Sequence, residues 1–272
     1  MAELNLAPGE ALFYEYNTPT HHQQTFVFVN ALTGNVGMWS GQICEALQAA
    51  GYGTLCFNFR GQEKTAFSDE TELTPKVIVD DICALMEHVK PAGPILVGLS
   101  IGGLFAAQAY LAGVDINGLV LINTLRKPSQ RLNWINQAMV ELARIGGSRM
   151  VMMANLPVIA SSELMENLWD STFSAAPFEA PENTDGLFRL MMHSRETDWD
   201  FPYEKLDIPV MILTGQHDRL FRIDSDVAEL KSRIKEVKEV HYPDAGHLIP
   251  LEDPHGFIED LQTFAPHCVQ SD

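Results

Sequence analysis

Short, nearly uninterrupted apolar runs recur along this chain, separated by longer stretches in which apolar positions return every three or four residues. Residues 25–29, 54–59, 94–99, 118–123 and 208–215 are of the first kind. They are uniformly apolar rather than alternating, so they read as strands buried on both faces. Residues 11–16 add an early strand, ended by Asn17-Thr18-Pro19, and residues 237–242 a last one. Helical patterns fill the intervals. One runs from Met38 to Ala50 and is stopped by Gly51-Tyr52-Gly53; others cover 77–89 after Pro75, 104–111, 226–235 and 254–264. Strands alternating with helices predict an α/β fold: a mostly parallel central sheet with helices on both faces.

The alternation lapses at about Arg126. From there to about Asp200 the pattern is helical with no convincing strand, and Ser161-Ser162-Glu163 ahead of Leu164 reads as a helix start. Seven of the eleven methionines and three of the four tryptophans fall in this interval. Methionine adapts to irregular apolar shapes, which suits the wall of a greasy pocket as well as a seal against a core. The expected organisation is a core from residues 1–125 and 201–272 carrying an inserted helical cap, or lid, at 126–200.

Composition narrows the function. At 272 residues and 46% hydrophobic positions, the chain suits one large α/β domain with an insertion. A net charge of −18 opposes binding to nucleic acid or to an anionic membrane surface. No apolar run is long enough to span a bilayer, and the first ten residues lack a basic segment followed by an apolar one. Cys44, Cys56, Cys83 and Cys268 show no metal-type spacing, and the first three read as small buried hydrophobes. A cytoplasmic protein with neither metal nor cofactor is expected.

Candidate chemistry sits at strand ends. Gly98-Leu99-Ser100-Ile101-Gly102-Gly103 places a serine between an apolar run and a helix, with glycines where a sharp turn leaves no room for β-carbons. The helix start behind Ser100 aims N–H groups at it. A serine hydroxyl needs a base to take its proton, and the base needs a carboxylate to hold its tautomer. Asp218 and His247 each follow a strand, in the chain order serine, acid, histidine. His217 adjoins the proposed acid too closely to be oriented by it, His241 lies inside the last strand, and His193 falls in the lid. Asn123 and Thr124, after the strand ending at Ile122, carry no charge. A developing oxyanion needs two donors: the N–H of Ile101, and one from the loop after Val29, for which Leu32 is the candidate.

Taken together, these motifs resemble the α/β-hydrolase family over nearly the whole chain, in its serine-hydrolase branch. Gly215-Gln216-His217-Asp218, Asp244-Ala245-Gly246-His247 and Arg60-Gly61 match the family's acid, histidine and Arg-Gly segments. Asn30-Ala31-Leu32-Thr33-Gly34 replaces the frequent His-Gly oxyanion loop and is similar to that of 3-oxoadipate enol-lactonases, as is the position of Trp39. Gln62-Glu63-Lys64-Thr65 departs from the His-Gly-x-Ser run usual at that place. The resemblance implies an acyl-enzyme on Ser100 during cleavage of a carboxylic ester, lactone or thioester with an apolar portion, and substrate contacts at Asn30 and Trp39. The same triad also serves C–C bond hydrolysis, cofactor-free oxygenation and acyl transfer in that family, and some hydrolase-like proteins only bind a ligand.

Overall fold

The apolar runs become the centre of a single eight-stranded sheet. The computed structural model describes residues 2–173 and 176–269. Its strands are β1 (Ala2–Ala7), β2 (Glu10–Asn17), β3 (Thr25–Val29), β4 (Gly53–Phe57), β5 (Pro94–Leu99), β6 (Gly118–Ile122), β7 (Val210–Gly215) and β8 (Val237–Tyr242), in spatial order β1-β2-β4-β3-β5-β6-β7-β8. The β1–β2 and β2–β4 pairs are antiparallel and all others parallel. Every residue of β3 to β7 is buried, as a strand covered on both faces requires.

Alternate side chains of each strand feed opposite layers. Val27, Val29, Leu96 and Leu119 pack with Ile78, Ile82 and Leu85 of α2 (Pro75–Val89) and with Leu104 and Phe105 of α3 (Ile101–Leu111). Phe26, Phe28, Ile95 and Val97 face Ile43 and Leu47 of α1 (Gln42–Ala49) and Phe257 and Leu261 of α9 (Pro254–Phe264). Local signals set the helix starts: the side chains of Thr74 and Asp253 accept from Val77 N–H and Gly256 N–H. The helix expected at 226–235 is α7 (Asp224–Ser232), and the one expected from Met38 begins later, at Gln42, after a tight turn at Val36–Met38. Strand β1 was not anticipated. Only Leu4 and Leu6 of it pack on the core, and it is held as an edge by pairing with β2, Leu4 opposite Leu12. Cys44, Cys56 and Cys268 are buried, Cys83 is half-buried, and all four are free thiols.

Between β6 and β7 lie α4 (Gln130–Ile159), α5 (Ser162–Thr172) and α6 (Gly186–His193). Ser161 caps α5 by accepting from Leu164 N–H. Helix α4 is broken at Gly146 and Gly147, where φ of Gly147 reaches +65°, so its two halves point in different directions. A four-residue helix, α8 (Ile249–Glu252), follows β8. Among the described residues no helix is long and apolar enough to cross a membrane.

Candidate active site

Ser100 stands between β5 and α3 with φ 59° and ψ −124°, a backbone conformation that L-residues avoid. Such strain, on the order of 1–3 kcal/mol, persists only where the surroundings enforce it. A β-carbon on Gly98 would lie 2.4 Å from the Gly103 backbone, and one on Gly102 would lie 2.2 Å from the Asn30 carbonyl oxygen. The glycines of the motif are therefore demanded by backbone packing, which presses the loop after β3 onto the first turn of α3.

Asp218 and His247 arrive from the ends of β7 and β8. His247 Nδ1 and Asp218 Oδ2 are 2.6 Å apart, and both side chains are buried. The other carboxylate oxygen, Oδ1, accepts from Phe221 N–H at 3.0 Å. Burial by itself raises the Asp218 pKa, but the facing His247, these hydrogen bonds and the Arg126 charge outweigh it and hold the carboxyl below its ordinary range.

The histidine loop is clamped from both sides. Glu252 accepts from the N–H groups of Gly246 and Leu248, the two neighbours of His247, each at 2.9 Å, and from Ser161 N–H at 2.7 Å. Asn123, at φ 48°, donates to the Gly246 and His247 carbonyls and accepts from Gly215 N–H. One amide thus ties together the ends of β6, β7 and β8. His247 N–H donates to Ile159 O at 2.6 Å, which pins the end of α4 to the same loop.

Ser100, Ile101, Leu32 and His247 line one cavity of about 110 Å³, closed by Met139, Met152, Met191 and Trp199 from the helical segment. A larger, open depression of about 810 Å³ lies at the other end of the strands, beside Gln23, Lys90 and Gly93, and holds none of these groups. As the first residue of α3, Ile101 has no carbonyl one turn back to accept its N–H. Leu32 N–H makes no hydrogen bond among the described residues.

Asn30 and Trp39 do not line this cavity, contrary to the expected substrate contacts. Trp39 is fully buried, stacked on Phe28, and its indole N–H donates to Asn30 Oδ1 at 2.7 Å. The Asn30 amide donates to Phe57 O, Asn58 Oδ1 and Gln62 Oε1. Both side chains are consumed in supporting the loop. Gln62, from the unusual run, joins them: its amide donates to Ala31 O at 3.0 Å and to Leu32 O at 3.1 Å. Ala31 C=O and Leu32 N–H belong to one planar trans peptide and point in opposite directions. By holding the carbonyl, Gln62 turns that N–H away from itself.

One residue of the site escaped the sequence reading. Arg126 Nη2 donates to Ser100 Oγ at 2.6 Å and to Asn123 O at 3.3 Å. Its guanidinium lies 4.0 Å from the Phe221 ring centre and 4.9 Å from that of Trp199. It is buried, its Nε has no partner, and among the described residues it makes no ion pair. Burial pushes its pKa down to about 10, so it remains a cation at neutral pH. No hydrogen bond joins Ser100 Oγ to His247; the arginine holds the hydroxyl instead. Its one signal in the sequence was a cation four residues past a wholly apolar central strand, where strand ends gather chemistry. His193 pairs with Glu196 and His241 with Gln216; neither they nor His217 lines the cavity. Among the described residues no three His, Cys, Asp or Glu side chains come together in a group that could hold a metal.

A family profile for the alpha/beta hydrolase fold matches residues 24–254. The chain belongs to that family. Among alpha/beta hydrolases it is 25% identical over 244 residues to a Mycobacterium tuberculosis protein named as a non-heme bromoperoxidase, BpoC, covering 84% of this chain and 88% of that one. An esterase of the same organism is 22% identical over 224 residues, with 75% and 72% coverage. In fold, the hydrolase resembles the enol-lactonase from Burkholderia xenovorans LB400, with a TM-score of 0.77 and 23% identity over 95% of this chain and 97% of the other.

Proposed function

We propose that this alpha/beta hydrolase is a serine esterase, cleaving a small carboxylic ester, lactone or thioester through an acyl-enzyme on Ser100. The observation that carries this reading is the convergence of Ser100 and His247, the latter paired with Asp218 at 2.6 Å, on the wall of one largely apolar cavity. Ser100 Oγ turns from Arg126 to His247 Nε2, gives up its proton there and attacks the substrate carbonyl carbon. Asp218, an anion across neutral pH, fixes the tautomer with Nδ1 protonated and steadies the imidazolium. The N–H groups of Leu32 and Ile101 receive the oxyanion, and their freedom from other hydrogen bonds keeps them available. His247 then protonates the departing alcohol or thiol, and water, deprotonated by His247, releases the acid. The segment at 126–200 acts as the cap that keeps bulk water from the acyl-enzyme. The name of the esterase relative supports acyl transfer to water.

The test is covalent labelling with a fluorophosphonate followed by peptide mapping, run beside a panel of p-nitrophenyl esters of increasing acyl length. Label on Ser100, with turnover best for short acyl groups and lost in Ser100→Ala, is the expected result. Turnover that survives Ser100→Ala, or none on any ester in the panel, overturns the reading.

A further inference from the structure

Arg126 is a buried cation that the hydrolytic steps above do not need. Its planar fork lies over the Phe221 and Trp199 rings, with Nη2 on the Ser100 hydroxyl and Nε unpartnered. The carboxylate charge felt at Arg126 is that of Asp218, and that group is already engaged by His247 and by Phe221 N–H. A guanidinium taken out of water without a carboxylate in contact is costly to keep. In the absence of one it donates to neutral acceptors, the serine hydroxyl and, at longer range, the Asn123 carbonyl.

We infer that the substrate of this site carries a carboxylate, which Arg126 binds, and that this exchange releases Ser100 for catalysis. The inference rests on the esterase reading for the reaction, though not for the binding. A carboxylate offers two oxygens to the fork and forms charge-assisted hydrogen bonds, roughly twice as strong as the neutral one it replaces. Once the fork has turned to the carboxylate, Ser100 Oγ is free to donate to His247. The anion thus anchors the substrate and uncovers the nucleophile in one step. Nη2 lies 2.6 Å from the oxygen that attacks. The carboxylate must therefore sit close to the scissile carbonyl, roughly two to four carbon atoms away given ordinary hydrogen-bond lengths. The cavity of about 110 Å³ accommodates an acyl group of that size. Half-esters of short dicarboxylic acids, and lactones bearing a short carboxylate arm, fit this description. A neutral ester of the same length gains no such exchange and reacts more slowly, only when Ser100 has left the arginine unaided.

The experiment compares the mono-p-nitrophenyl ester of glutaric acid with p-nitrophenyl pentanoate at neutral pH. In the wild type, kcat/KM is expected to favour the acidic ester at least tenfold. In Arg126→Gln that preference should fall to about one or below, with Arg126→Lys in between because it keeps the charge but loses the fork. The ratio is the readout, so a general loss of activity does not imitate the effect, and Arg126→Lys decides the matter should the glutamine variant fail to fold. Binding is measured separately by calorimetry in Ser100→Ala, which cannot turn over. Monomethyl glutarate is expected to bind at least tenfold tighter than methyl pentanoate, and the advantage should vanish in Ser100→Ala/Arg126→Gln. Equal treatment of the two esters by the wild type, or an equal fall in both on substitution, overturns the carboxylate assignment while leaving the esterase reading intact. Tight, Arg126-dependent binding of the acid by a protein that cleaves no ester keeps the anion site and sinks the esterase reading.

Discussion

The Asp218 carboxylate gives the histidine its direction. One oxygen faces His247 Nδ1 and the other accepts the Phe221 N–H, so the group cannot rotate away. Its pKa is held below the ordinary carboxylate range, which keeps it an anion wherever the enzyme is assayed near neutrality. Asp218→Asn preserves the shape but offers a donor in place of one acceptor, and the imidazole takes the wrong tautomer. A kcat about 10³–10⁴ lower, with the melting temperature little changed, is expected from steady-state kinetics and calorimetry. The three residues Ser100, Asp218 and His247 stood out in the sequence because each follows a strand, in the order serine, acid, histidine. Arg126 was not. Its value lies in what is missing around it, and the lack of a carboxylate partner can be seen only once all its neighbours are in place.

Among the elements, the loop after β3 depends most on distant support. Asn30, Asn58 and Gln62 form a hydrogen-bonded knot beneath it, with Trp39 Nε1 as a further donor. From the sequence, Asn30 and Trp39 were expected to touch substrate, and Gln62 was only a departure from a familiar run. The structure makes all three positioning residues, because polar side chains buried beneath a loop must spend their hydrogen bonds on its backbone. Gln62→Leu removes the support of the Ala31 and Leu32 carbonyls and lets the Leu32 N–H wander. Its effect should fall on the transition state: kcat lower by about 10- to 100-fold with KM changed far less, since an oxyanion donor acts only when charge develops. A KM that rises as much as kcat falls would instead mark a general loosening of the pocket. Chemical denaturation should also show roughly 1–3 kcal/mol of lost stability from the orphaned polar groups.

The whole molecule carries a net charge of −18, yet lines its cavity with a guanidinium, Arg126, that makes no ion pair among the described residues. On the proposed carboxylate site, an anionic substrate is repelled at a distance and held at contact. Salt acts unequally on these two effects. Repulsion works through solvent and fades beyond a Debye length of about 10 Å at 0.1 M, whereas the buried contact is screened much less. For the glutaric half-ester, kcat/KM should rise a few-fold as sodium chloride goes from about 0.01 to 0.15 M. The neutral pentanoate ester should respond little over the same titration, and a fall for the acidic ester would show that screening of the arginine contact dominates.

The amino-acid sequence alone determined the alternation of strands and helices, the mostly parallel sheet and the three strand-end groups. Each is written locally, in uniform apolar runs, in glycines beside a serine and in chain order. Tertiary structure alone decided which polar side chains are spent and which are free. Asn30 and Trp39 are spent beneath a loop, Asn123 and Glu252 on the histidine segment, and Arg126 is left with a serine hydroxyl and a backbone carbonyl for partners. Hydrogen bonds join residues far apart along the chain, and burial depends on everything packed around them, so neither leaves a periodic mark on the sequence.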